Sequence, residues 1–135
     1  MATIKSKYLG ELRTESVHVK SDNKIITDAP LDNNGKGEAF SPTDLLCSAL
    51  GSCMMTIIGI LARREEIDLT SVTYEITKVM SANPRKVSEI HINFDMKGVK
   101  ASDIQVEKLK RAASTCPVAL SLDPSVKQIV DFKFN

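Results

Sequence analysis

The stretch Phe40-Ser41-Pro42-Thr43-Asp44-Leu45-Leu46-Cys47-Ser48-Ala49-Leu50-Gly51-Ser52-Cys53-Met54 decides the architecture of this 135-residue chain. A serine N-cap accepts a hydrogen bond from an amide that the first helical turn leaves unpaired. Proline suits the first helical position, and an acid three places after the serine can reach back to the cap's own N–H. Ser41, Pro42 and Asp44 meet all three conditions, so a helix is expected to start here and run to about Arg64. Residues 45–62 hold no charged side chain, an interval of 18 positions. That run approaches the roughly 20 residues that cross a bilayer. Ser48, Gly51, Ser52, Thr56, Gly59 and two cysteines dilute it, however, and no aromatic belt flanks it. A helix apolar on all sides is then a central helix enclosed by protein. Its small residues Ser48, Gly51, Ser52 and Gly59 would admit another backbone closely, and in so short a chain a sister helix from a second subunit is the natural neighbour.

Outward from this helix the pattern is α+β. In residues 3–27, short β-branched runs broken by Gly10 and by Ser21-Asp22-Asn23 predict two or three antiparallel strands. Residues 29–38, with Pro30, Gly35 and Gly37, read as a mobile loop. After the helix, Val72, Tyr74 and Ile76 alternate with polar residues, as do Ile90, Ile92, Phe94 and Met96, with Asn83-Pro84-Arg85 as the turn between them. Ser102 and Gln105 form a second capping box, opening a helix whose apolar face carries Val106, Leu109, Ala113 and Cys116. Pro117 should end or kink that helix at Cys116, and Val130, Phe132 and Phe134 mark a last strand. One domain spanning residues 1–135 is expected, antiparallel strands around a long buried central helix plus a second helix.

Composition excludes several functions. Eighteen basic and seventeen acidic residues leave a net charge of +1, no surplus for nucleic acid. Arg63, Arg64, Lys108, Lys110 and Arg111 are interleaved with Glu65, Glu66 and Glu107, as on solvated helix faces. Residues 1–8, with Lys5 and Lys7, lack the apolar core of a signal peptide. A cytoplasmic location is therefore expected, where three cysteines are free thiols. No C-x-x-C spacing occurs, His18 and His91 fall in no ligand pattern, and no glycine-rich phosphate loop is present, so neither a metal nor a nucleotide cofactor is expected.

The cysteines are what remains. Cys53 shares a helical stripe with Leu46, Ala49, Leu50 and Ile57 and is expected to face the interior. Cys116 continues an apolar helix face and precedes Pro117, where the unpaired amides of a new helical turn would favour a thiolate. Cys47 is six residues from Cys53, about a third of a turn away at ~100° per residue, and reads as inert. On spacing alone Cys53 and Cys116 read as inert buried hydrophobes, the commonest state of a free cysteine, before they read as reactive thiols.

The segment from Phe40 to Met54, with Cys116-Pro117-Val118 far downstream, resembles the OsmC/Ohr family, the osmotically inducible and organic hydroperoxide resistance proteins. The resemblance covers nearly the whole chain and implies an OsmC-like fold in an intertwined homodimer. It further implies a thiol-dependent peroxidase in which Cys53 attacks an organic hydroperoxide and Cys116 resolves the sulfenic acid. A dithiol reductant, lipoyl-type in some members, then restores both thiols. It makes Arg13, the only arginine before the central helix, the activating cation, and Thr43 and Asp44 the candidate substrate-binding residues. Well-characterised members carry glutamate directly after the helix-opening proline, where this chain has Thr43. Threonine cannot pair with Arg13 as an anion, and Asp44 has a competing duty in the cap. That departure keeps a second reading open, a non-enzymatic dimeric module that binds a ligand or senses redox state.

Overall fold

The computed structural model describes residues 1–135, whose contacts group into two compact units, Met1–Leu46 and Cys47–Asn135. In the first unit, β1 (Ile4–Gly10), β2 (Arg13–His18) and β3 (Lys24–Asp28) form an antiparallel meander in the order β1-β2-β3. Its register sets Arg13 directly opposite Asp28. The following segment is wound, not slack as the sequence suggests. A 3-10 turn occupies Leu31–Asn33, the Asn33 and Gly35 amides donate to Pro30 O, and Gly37 N–H donates to Ala29 O. Gly35 permits the closure, since a Cβ there would lie 1.8 Å from Ala29 O. Ser41 and Asp44 then form the expected reciprocal cap: Asp44 N–H donates to Ser41 Oγ at 3.0 Å and Ser41 N–H to Asp44 Oδ2 at 3.0 Å.

Helix α1 (Pro42–Arg64) opens from this cap. By length and hydropathy alone it could cross a membrane, yet only a third of its most apolar window is buried. The buried stripe is Cys47, Leu50, Gly51, Met54, Ile58 and Ala62. Gly51 lies hard against the sheet, since a Cβ there would meet Ile76 Cδ1 at 2.5 Å. The opposite stripe, Ala49, Ser52, Thr56 and Ile60, is open. The helix is therefore buried along one face, and Ala49 lies outside the interior stripe expected for it. An all-apolar sequence contains no polar marker from which the rotational phase can be read.

The second unit continues through β4 (Thr73–Ser81), β5 (Lys86–Asp95), α2 (Asp103–Ala113), α3 (Pro117–Ser121) and β6 (Lys127–Lys133), with strand order β4-β5-β6. The β4–β5 pair is antiparallel, whereas β6 runs parallel to β5. Alternation does not encode strand direction. A connection through two helices, unlike a tight hairpin, is long enough for a parallel crossover. Ile90, Ile92, Phe94 and Met96 are buried, and each such large apolar side chain contributes roughly 1.5–3 kcal/mol. Three of the chain's few aromatic residues meet across the register: Tyr74 and Phe94 have ring centroids 5.3 Å apart, and Phe94 stacks on Phe132 at 5.0 Å. Ser102 and Gln105 form the second reciprocal cap at the start of α2.

Replacing an N-cap serine by alanine typically costs about 1 kcal/mol. Ser41→Ala should lower the free energy of unfolding from urea denaturation by that amount, and an unchanged midpoint would mean that the buried cap does not hold the helix start.

Candidate active site

Cys116 occupies a position that its proline creates. The α2 helix stops at Ala113, and a residue before proline is pushed out of helical geometry. Cys116 accordingly has φ −69° and ψ 142° and is the N-cap of α3, with Pro117 inside the first turn. Its sulfur performs the capping, accepting the Ala119 N–H at 3.3 Å. The side chain is fully buried and close to Cys53. Burial pushes the Cys116 thiol up from its ordinary value and outweighs the Ala119 and Val118 amides, which pull it down; the neighbouring Cys53 sulfur raises it further. Cys53, half-buried on α1, is the more accessible sulfur, and no disulfide links any of the three cysteines. Cys47 is buried.

Beside the Cys116 turn lies an open cavity of 590 Å³ whose lining includes Ala113, Ser114, Ala119, Met54 and Phe132. Gln128 Nε2 donates to Ala119 O at 3.0 Å and ties β6 to α3. The lining is mixed, with Lys110, Ser114, Gln128 and Asp131 beside the apolar Met54, Val130 and Phe132.

Within the first unit, Arg13 is clamped. Its Nε donates to Asp28 Oδ1 at 2.7 Å and its Nη2 to Asp28 Oδ2 at 2.8 Å, with a third bond from Nη2 to Glu38 Oε1 at 3.0 Å. Asp28 is fully buried and also accepts the Glu38 N–H at 3.0 Å, while Glu38 itself is 65% exposed. The hydrogen bonds from Arg13 hold the Asp28 carboxyl below its ordinary value despite burial, and the bond to Asp28 holds the guanidinium above its own. Arg13 is thus paired with two carboxylates and half-buried. Thr43 Oγ1 lies 3.2 Å from Ser41 Oγ and Asp44 closes the helix cap, so both belong to the helix start. Sequence reading overlooks Asp28 and Glu38. The one signal for Asp28 is an acid opposite the lone N-terminal arginine, and it appears only once the β2–β3 register is known.

The family described as OsmC-like protein matches residues 35–130, a span holding Ser41, Cys53 and Cys116. No curated protein matches the chain. A solved structure from Psychrobacter arcticus, named for osmotic stress induction and a detoxification response, is 53% identical. It covers 98% of this chain and 96% of its own, with a TM-score of 0.93. An OsmC-like protein from Mycoplasma pneumoniae is 17% identical over 97% of this chain and 94% of its own, TM-score 0.80. An organic hydroperoxide resistance protein OsmC from Legionella pneumophila is 18% identical over 98% of both chains, TM-score 0.75. The last two share the α+β fold.

Because the Asp28 carboxyl is lowered on folding, the unfolded chain binds its proton more readily. The stability this gives is present above the ordinary carboxylate value of about 3.9 and is lost as pH falls toward the folded value. Thermal unfolding of Asp28→Asn should lie below wild type at neutral pH and depend less on pH between about 5 and 2. The slope that remains would come from Asp68 and Asp123, both lowered by turn hydrogen bonds. Equal slopes in the two proteins would show that the clamp contributes nothing to acid stability.

Proposed function

From the premise that the chain belongs to the OsmC-like protein family, we propose that it is a cytoplasmic thiol peroxidase acting on organic hydroperoxides through Cys53 and Cys116. The Cys53 thiolate attacks the terminal peroxide oxygen, the O–O bond breaks, and the alkoxide leaves as an alcohol after taking one proton. Cys53 is left as a sulfenic acid. Cys116 then attacks the Cys53 sulfur, water departs, and a disulfide forms. A dithiol reductant, a lipoyl-type group being one such chemistry, supplies two electrons and two protons and returns both thiols.

The observation that carries this reading is the closeness of Cys53 to the buried sulfur of Cys116. A nucleophile must be the thiolate, and the resolving thiol, which gives up its proton only as it attacks, must lie within bonding reach. Met54, Val130 and Phe132 in the lining of the cavity beside the Cys116 turn offer apolar surface to the alkyl group of an organic hydroperoxide. The name of the Legionella neighbour points to the same substrate class for that protein. Arg13 is assigned as the cation that stabilises the thiolate and the departing oxygen, a duty for which a fixed guanidinium suits.

The functional form is assigned as a homodimer. The open stripe of α1 is uncharged between Ala49 and Ile60, and Ile4, Tyr8 and Leu9 of β1 are exposed. A second copy covering these surfaces would complete the burial of an otherwise one-faced helix. The missing carboxylate at Thr43 favours the non-enzymatic ligand-binding or redox-sensing alternative, and one experiment separates the two readings. One equivalent of cumene hydroperoxide should reduce the free thiols from three to one and link the Cys53 and Cys116 peptides. Cys116→Ser should stop at a sulfenic acid that dimedone traps, and Cys53→Ser should not react. Retention of all thiols in the wild type would rule out the peroxidase.

A further inference from the structure

We infer that α3 is a redox-sensitive element of the cavity wall: the Cys116 sulfur holds it while the thiol is free, and a disulfide to Cys53 releases it. The inference rests on the pairing of these two cysteines proposed above. Every group it involves lies within Cys47–Asn135.

Little else holds α3. It is five residues long, none of its side chains is buried, and Leu120 is 74% exposed. So short a helix has no stability of its own in water, and its order must come from bonds at its ends. At its start, Cys116 Sγ accepts the Ala119 N–H at 3.3 Å, the bond that a serine hydroxyl makes in an ordinary cap. The Val118 amide lies at the same sulfur. From the other side, Gln128 Nε2 donates to Ala119 O at 3.0 Å. The two side chains that fix α3 from outside therefore meet at Ala119, which lines the cavity together with Ser114 and Gln128.

Oxidation acts on one of these two bonds. The thiols of Cys53 and Cys116 lose two electrons and two protons, and an S–S bond forms between them. A disulfide has a narrow geometry of distance and dihedral, so the Cys116 sulfur is then directed at Cys53 and is no longer free to face the Ala119 amide. Nor can it become a thiolate, the ionised form in which an acceptor binds an N–H most strongly. The Gln128 bond and the Ser121 Oγ–H bond to Pro117 O are chemically unchanged, which confines the loosening to the helix start. Reduced Cys116 has no exposed surface. A released α3 gives a dithiol reductant a path to that sulfur in the one state that needs reducing.

The test reads hydrogen exchange at single amides of isotopically labelled protein in the reduced and disulfide forms. The disulfide is made with diamide, whose N=N bond takes up the two electrons and two protons and becomes a hydrazine, and peptide mapping checks the Cys53–Cys116 link. The Ala119 and Leu120 amides should exchange roughly threefold faster or more in the disulfide form, while the Leu109 amide of α2 keeps its rate. Cys116→Ser, whose hydroxyl caps but cannot cross-link, should show no change on diamide treatment; Cys53→Ser is the same control should that variant fail to fold. Equal rates in the two wild-type forms overturn the inference. So do acceleration that includes Leu109, acceleration in either serine variant, and failure of diamide to link Cys53 to Cys116. If cumene hydroperoxide leaves the thiols free while diamide links them and releases α3, the peroxidase reading fails and the inference stands.

Discussion

The contact between Cys53 and Cys116 is the constraint on which the second unit turns. It requires a long helix to carry one sulfur and a helix break to deliver the other, because a cysteine inside a continuous α2 would keep its sulfur on that helix's flank. Pro117 supplies the break, forces Cys116 into extended geometry and makes its sulfur the acceptor of the Ala119 amide. The same turn sets up opposing influences on the thiol. Helix-start amides pull its proton off and burial holds it on, and burial prevails. A buried sulfur beside a half-buried one is an asymmetric pair.

The first unit solves a separate problem, how to hold a cation still with short side chains. The β2–β3 register places an aspartate beneath the arginine, and the wound segment after β3 returns Glu38 to the same group. A permanently charged guanidinium compensates the buried carboxylate, whose isolated charge would be costly to desolvate. The tight turn at Gly35 is part of this device, since a slack loop would not bring the Glu38 amide and carboxylate to the clamp.

Local signals were readable in the sequence and long-range ones were not. Ser41 with Asp44, and Ser102 with Gln105, mark their helix starts because a capping box is complete within four residues. Cys116-Pro117 predicts the helix break for the same reason. Period-two alternation places Ile90, Ile92, Phe94 and Met96 in the core. Yet the same alternation fits either strand direction, and the parallel β5–β6 pair is invisible in it. The open face of α1 is hidden because the helix has no polar stripe to betray its phase. The winding of residues 29–38 looks like mobility because glycine permits both. Asp28 is the instructive omission: its partner lies fifteen residues away, and only the strand register joins them.

The acidity of Cys116 tests the central claim most directly. In alkylation across pH, read on the Cys116 peptide of the reduced protein, Cys116 should be modified only above the pH usual for a free cysteine, and at a lower pH once the neighbouring sulfur is removed in Cys53→Ser. Modification of Cys116 at the pH usual for a free cysteine, unchanged in Cys53→Ser, would contradict the account of a buried sulfur raised by burial and by Cys53.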